Sequence, residues 1–168
     1  EDETTVALTI ASYMAVLGGA FDDYDEAYKK LQEIIASGEA IEKLKILIEI
    51  QGGNPAVVDN PDLLPKPKYH TEVKATKDGY ISAVNAEEIG ITAMLLGAGR
   101  KTKEDKIDFA AGVTMVKKVG EKVSKGDVIC ILHTNKENHD DAINAANTAF
   151  EISDTQPEEV VYIYDIVK

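Results

Sequence analysis

The chain has 168 residues, 44% of them hydrophobic, with a formal net charge of -12 and Arg100 as its single arginine. That composition supports one good core or two small ones and excludes a chain disordered throughout, while the acidic balance argues against nucleic acid as a partner. No apolar run reaches the roughly 18 residues of a membrane span, and no basic stretch leads into an apolar one as in an export signal, so no membrane partner and a cytoplasmic location are expected.

The first residue is Glu1 rather than Met, which reads as a piece of something longer. The spacing of Val6, Ala7, Ile10, Met14 and Leu17 predicts a helix over Thr4 to Leu17, ended by Gly18-Gly19. Asp22 or Asp23 is placed to cap a second helix through Ala27, Leu31, Ile34 and Ile35, closing at Ser37-Gly38. A third runs from Glu39 through Ile41, Leu44, Leu47 and Ile50 to Gly52-Gly53. Asn54 to Lys68 holds four of the five prolines (Pro55, Pro61, Pro65 and Pro67) and reads as the boundary between domains, because proline lacks the N–H a helix needs.

From Tyr69 the pattern turns to short strands: His70 to Ala75, Gly79 to Asn85, Val113 to Val119, Asp127 to His133 and Val160 to Ile166. Helices over Glu87 to Leu96 and Glu137 to Ile152 interrupt them. Between Gly112 and His133, glycine turns at Gly120 and Gly126-Asp127 punctuate alternating apolar residues, the pattern of half a barrel-sandwich hybrid. The fold class is therefore α+β: an N-terminal helical segment over 1–65 with its linker, then a small β-rich, barrel-sandwich-like domain over 66–168.

Candidate chemistry is sparse. Cys130, the only cysteine, lies among Val128, Ile129, Ile131 and Leu132 and reads as a buried thiol rather than a nucleophile. Gly97-Ala98-Gly99-Arg100 could cradle an anion, but without a preceding strand or a further glycine it reads as a plain turn, with Arg100 equally able to pair with Asp105 or Asp108. His70, His133 and His139 titrate near neutrality, yet none has a spacing that would hold a metal, and surface or cap roles fit them better. The acidic groups Asp22-Asp23-Asp25-Glu26 and Asp140-Asp141 lie where helices begin, which suits the helix dipole. Biotinyl and lipoyl carriers use this kind of fold to display one lysine on a hairpin, which would fall on Lys117 or Lys118; neither Met-Lys-Met nor Asp-Lys-Ala occurs here.

Gly79-Tyr80-Ile81, Gly90, Leu96-Gly97-Ala98-Gly99-Arg100, Asp105-Lys106-Ile107-Asp108, Gly112-Val113, Gly120-Glu121-Lys122-Val123 and Lys125-Gly126 together resemble the C-terminal part of pyrimidine-nucleoside phosphorylases. Gln51-Gly52-Gly53-Asn54 through Val58-Asp59 and Leu64-Pro65 is similar to the segment joining that family's larger α/β domain to its small C-terminal domain. The resemblance implies that residues 1–65 are the helical tail of the α/β domain plus linker. It also implies a pentosyltransferase that phosphorolyses uridine, thymidine or deoxyuridine, with phosphate as co-substrate and a potassium ion in full-length members. Implied partners are the N-terminal part of the same enzyme and a second full-length copy in a homodimer. The family's Lys-His-Ser-Thr-Gly-Gly phosphate loop and its base-holding Arg, Ser and Lys lie upstream of the matched region. No catalytic, cofactor or metal residue is therefore assigned to this chain, and the resemblance leaves it a structural scaffold. A non-catalytic interaction module and, more remotely, a carrier domain are the competing classes.

Overall fold

The structure, a computed structural model, describes residues 2–167, the side chain of Asp2 excepted. It divides into two compact units, a helical one up to Leu63 that includes the tail from Val161, and an α+β one from Leu64 to Val160.

In the helical unit, α1 (Asp2–Leu17) buries Leu8 and Ser12, one turn apart, and the Ser12 hydroxyl returns to the Leu8 carbonyl at 2.7 Å. Opposite lies α2 (Tyr24–Ser37), with Ala27 fully buried and the Tyr13 and Tyr24 rings 4.7 Å apart. Asp23 caps α2 by accepting from the Glu26 N–H at 3.0 Å, and Gly38 ends it in the left-handed conformation, φ 84°. No residue of α3 (Glu39–Ile50) is fully buried. Met14, Leu17 and Ile50 are 67%, 86% and 78% exposed, so the apolar stripes that make these segments helical are left largely uncovered. In the proline segment a single turn, α4 (Ala56–Asp59), and a 3₁₀ turn over Pro61–Leu63 are each started by an asparagine, Asn54 and Asn60, whose side-chain oxygen accepts from the N–H two residues on.

The second unit holds two antiparallel three-stranded sheets. One has the order β1-β5-β3, from β1 (Tyr69–Lys74), β5 (Val128–Thr134) and β3 (Gly112–Met115). The other has the order β4-β2-β6, from β4 (Lys122–Val123), β2 (Gly79–Val84) and β6 (Phe150–Ser153). Helices α5 (Ala86–Ala93) and α6 (Asp140–Thr148) complete it, α5 running into a wide turn over Met94–Ala98. Val73, Ile81, Val123, Cys130, Leu132 and Phe150, drawn from both sheets, join Leu96, Ala142 and Ala146 in one hydrophobic cluster. The expected α+β class is observed, with two open sheets sharing a core rather than a closed barrel.

Several elements differ from expectation, among them the two-residue strand β4, which is not one of the expected strands. No strand forms over Val160–Ile166. The sixth strand is instead Phe150–Ser153, at the end of the predicted helix, because α6 stops when the Ala149 carbonyl accepts from the Asn85 N–H at 2.8 Å and the chain turns to pair with β2. The third strand ends at Met115, where the N–H groups of Val116 and Lys117 both turn to the single carbonyl of Ile129, each at 3.0 Å.

Candidate functional site

Strand register brings two of the three histidines together. His70 on β1 stands opposite His133 on β5, and their Nδ1 atoms are 2.8 Å apart, so one ring donates and the other accepts. His133 Nε2 lies 2.8 Å from the hydroxyl of Thr114 on β3, tying three strands through one ring. Burial, and then the neighbouring charge of His70, holds the His133 imidazole below its ordinary pKa of 6.5. The sequence separation of 63 positions hid this pair; only the β1–β5 register reveals it.

The third histidine serves the start of α6. His139 Nε2 is 2.8 Å from the Thr71 hydroxyl, and its Nδ1 lies 3.2 Å from the carbonyls of both Lys136 and Glu137. Beside it is a small polar cleft of about 170 Å³ lined by Leu95, Lys101, Lys136, Asn138, His139 and Asp141. Lys136 is committed within it, its Nζ donating to the Leu95 carbonyl at 2.7 Å, and the volume is below the roughly 300 Å³ that small-ligand sites start from.

The glycine turn before Arg100 is a structural device. Gly97 takes φ 120°, where an added Cβ would approach that of Asp108 to 3.3 Å, and its carbonyl accepts from the Asp108 N–H at 2.9 Å. Arg100 pairs with neither candidate acid. Asp105 accepts instead from the Lys101 and Thr102 N–H groups and the Thr102 hydroxyl, bonds that hold its carboxyl below the usual range, and Asp108 accepts from the Ala110 N–H and Asn135 Nδ2. Lys117 and Lys118 do not stand at a hairpin tip. The Lys117 N–H is bonded to β5 and its Nζ lies 3.6 Å from Glu121, which also accepts from the Lys118 N–H at 2.6 Å. Cys130 is fully buried, and burial pushes its thiol up to about 11.

Among the described residues no three His, Cys, Asp or Glu side chains converge as a zinc-type centre would require. An apolar concavity of about 450 Å³ in the helical unit is lined by Ala7, Leu8, Ala11, Leu31, Ile34 and Ile35, with no ionisable group but Glu3.

Fold and geometry together define a small α+β domain whose polar side chains tie strands and turns, attached to a helical unit with uncovered apolar faces. Residues 80–153, which run from β2 to β6, match the family described as pyrimidine nucleoside phosphorylase C-terminal domain. The chain is 45% identical over 152 residues to a pyrimidine-nucleoside phosphorylase of Staphylococcus haemolyticus (strain JCSC1435), covering 90% of this chain and 35% of the relative. Another, from Bacillus subtilis (strain 168), is 47% identical over 143 residues, 85% of this chain and 33% of the relative. A third, from Staphylococcus epidermidis (strain ATCC 12228 / FDA PCI 1200), is 42% identical over 167 residues, 99% of this chain and 38% of the relative. The chain belongs to the pyrimidine-nucleoside phosphorylase family and carries its C-terminal domain. It spans about a third of the length of these relatives.

Proposed function

We propose that this chain is the scaffold portion of a pyrimidine-nucleoside phosphorylase, a cytoplasmic pentosyltransferase, and supplies no catalytic group itself. In the reaction, phosphate attacks C1′ of uridine, thymidine or deoxyuridine, the bond from C1′ to the base nitrogen breaks, and free base and a pentose 1-phosphate leave. Residues in the remaining polypeptide would hold phosphate and base. This chain would brace that part as it opens and closes, and the working enzyme would be a homodimer.

The observation that carries the reading is the coincidence of the family match, residues 80–153, with the unit whose core is closed, while the helices before it keep their apolar faces uncovered. A self-sufficient domain would bury them, since each Leu or Ile covered is worth about 1.5–3 kcal/mol.

Phosphorolysis of uridine and thymidine tests the reading. The purified chain should show no turnover, and joining it to the N-terminal two-thirds of the Bacillus subtilis relative should restore it. Turnover by the chain alone that follows the protein through successive purification steps would overturn the scaffold role.

A further inference from the structure

The segment Val160–Val167 is a strand without a sheet. Its residues, Val-Val-Tyr-Ile-Tyr-Asp-Ile-Val, are nearly all β-branched or aromatic, and Asp165 is the only charge. Such a near-continuous apolar run is the mark of a strand covered on both faces, as in the sheet of an α/β layer, rather than of one with a wet side. Yet no ladder forms there, and side chains of both parities stay open, Val161 on one and Tyr164 on the other. Nor does the segment go with the sheets of the α+β unit: from Val161 onward it groups with the helical unit, whose α1 and α3 expose Met14, Leu17 and Ile50.

Largely uncovered helices and a two-faced, strand-forming sequence along which no ladder forms, both in one unit, call for the same thing, a sheet for the helices to cover and the segment to extend. We infer that residues 160–167 dock by strand addition onto the edge of a sheet in the polypeptide that the relatives carry beyond the matched third, under helices α1 to α3. This rests on the proposed function. It adds that the C-terminal tail is a stitch from beyond the C-terminal domain back into the larger one.

The test joins the N-terminal two-thirds of the Bacillus subtilis relative to this entire chain and reads amide exchange at Val161–Val167 beside phosphorolysis. In the joined protein the tail amides facing the sheet should slow by about a hundredfold against the chain alone, as ladder formation requires. Because alternate N–H groups point to opposite sides, only one of Ile163→Pro and Tyr164→Pro should cancel that protection, by about tenfold or more. An active joined protein with fast tail amides overturns the strand while leaving the proposed function intact. An inactive one with a protected tail supports the strand and counts against the function; an inactive one with a fast tail overturns both. Equal damage from the two prolines overturns placement at an edge. Protection in this chain alone that grows with concentration identifies a second copy as the occupant and overturns the inference.

Discussion

Thr134 is the side chain on which the junction between β5 and the long loop depends. It is fully buried, its hydroxyl donates to the Leu96 carbonyl at 2.7 Å and accepts from the Lys136 N–H at 3.1 Å. Thr134→Val keeps the shape and removes both bonds. A buried polar group left without a partner costs about 1–3 kcal/mol, and water can reach the partly buried Lys136 N–H, so the loss should total about 2–4 kcal/mol. Thr134→Ser retains the hydroxyl and gives up one methyl, which costs about 1 kcal/mol. Exchange of the Cys130 and Leu132 amides, which open with the whole β1-β5-β3 sheet, measures both. At tenfold per 1.4 kcal/mol, Thr134→Val should speed it roughly 30- to 700-fold and Thr134→Ser about fivefold. A serine variant as damaged as the valine variant would refute the reasoning, because packing rather than the hydroxyl would then hold the junction.

Other sites give sharp expectations. Gly79 has φ 148°, and an added Cβ would run into the Ser153 carbonyl and come within 2.9 Å of Ile152 Cγ2, so Gly79→Ala should cost on the order of 3 kcal/mol and open the β2–β6 ladder, seen as fast exchange at Ile152; a wild-type unfolding curve would show the register to be wrong. Cys130 should resist thiol reagents in the native state at pH 8 and react once denatured. Its folded pKa of about 11 lies above the ordinary 9.0, so the unfolded chain releases the proton first, and stability falls by up to about 3 kcal/mol as pH rises from 9 through 11. Cys130→Val should remove that slope in urea titrations against pH, and an unchanged slope would assign it to another group. For His133 the sign is opposite: with its folded pKa below 6.5, the unfolded chain takes up the proton first and stability is lost as pH falls through 6.5. An NMR titration placing His133 at or above 6.5 would contradict the burial seen here.

The first three helices were legible in the sequence because their signals are local. Asp23, Gly38 and the apolar spacing of α2 act within a few residues, and α1 to α3 lie within two residues of the expected bounds. The strands were less so, since pairing sets their ends. β3 is cut at Met115 by a shared acceptor on β5, and Phe150–Ser153 becomes a strand because β2 is beside it, though Ala146, Ala149 and Phe150 keep helical spacing. The segment Val160–Ile166 failed in the reverse way, strand-forming by composition although no ladder forms along it. At the candidate site, the burial of Cys130 followed from its apolar flanks, whereas the His70–His133–Thr114 link depended on register and left no trace in spacing.

The acidic balance, which from composition speaks only about partners, also has an internal use. Asp127 accepts from the Ser124 N–H at 2.8 Å, Asp78 from the Lys125 N–H at 2.7 Å and Glu121 from the Lys118 N–H, while Asp105 holds the turn after Arg100. In each case a carboxylate takes up backbone donors that a turn would otherwise leave to water, and a charged acceptor makes that bond stronger than a neutral one. The sheets are thus joined by turns fixed at both ends, around a core shared by both sheets. A body built this way resists bending. Hinged closure of an enzyme needs stiff bodies on either side of a few flexible residues, because motion absorbed within a body does not reach the site. The carboxylates bound to these backbone N–H groups are therefore committed to holding turns.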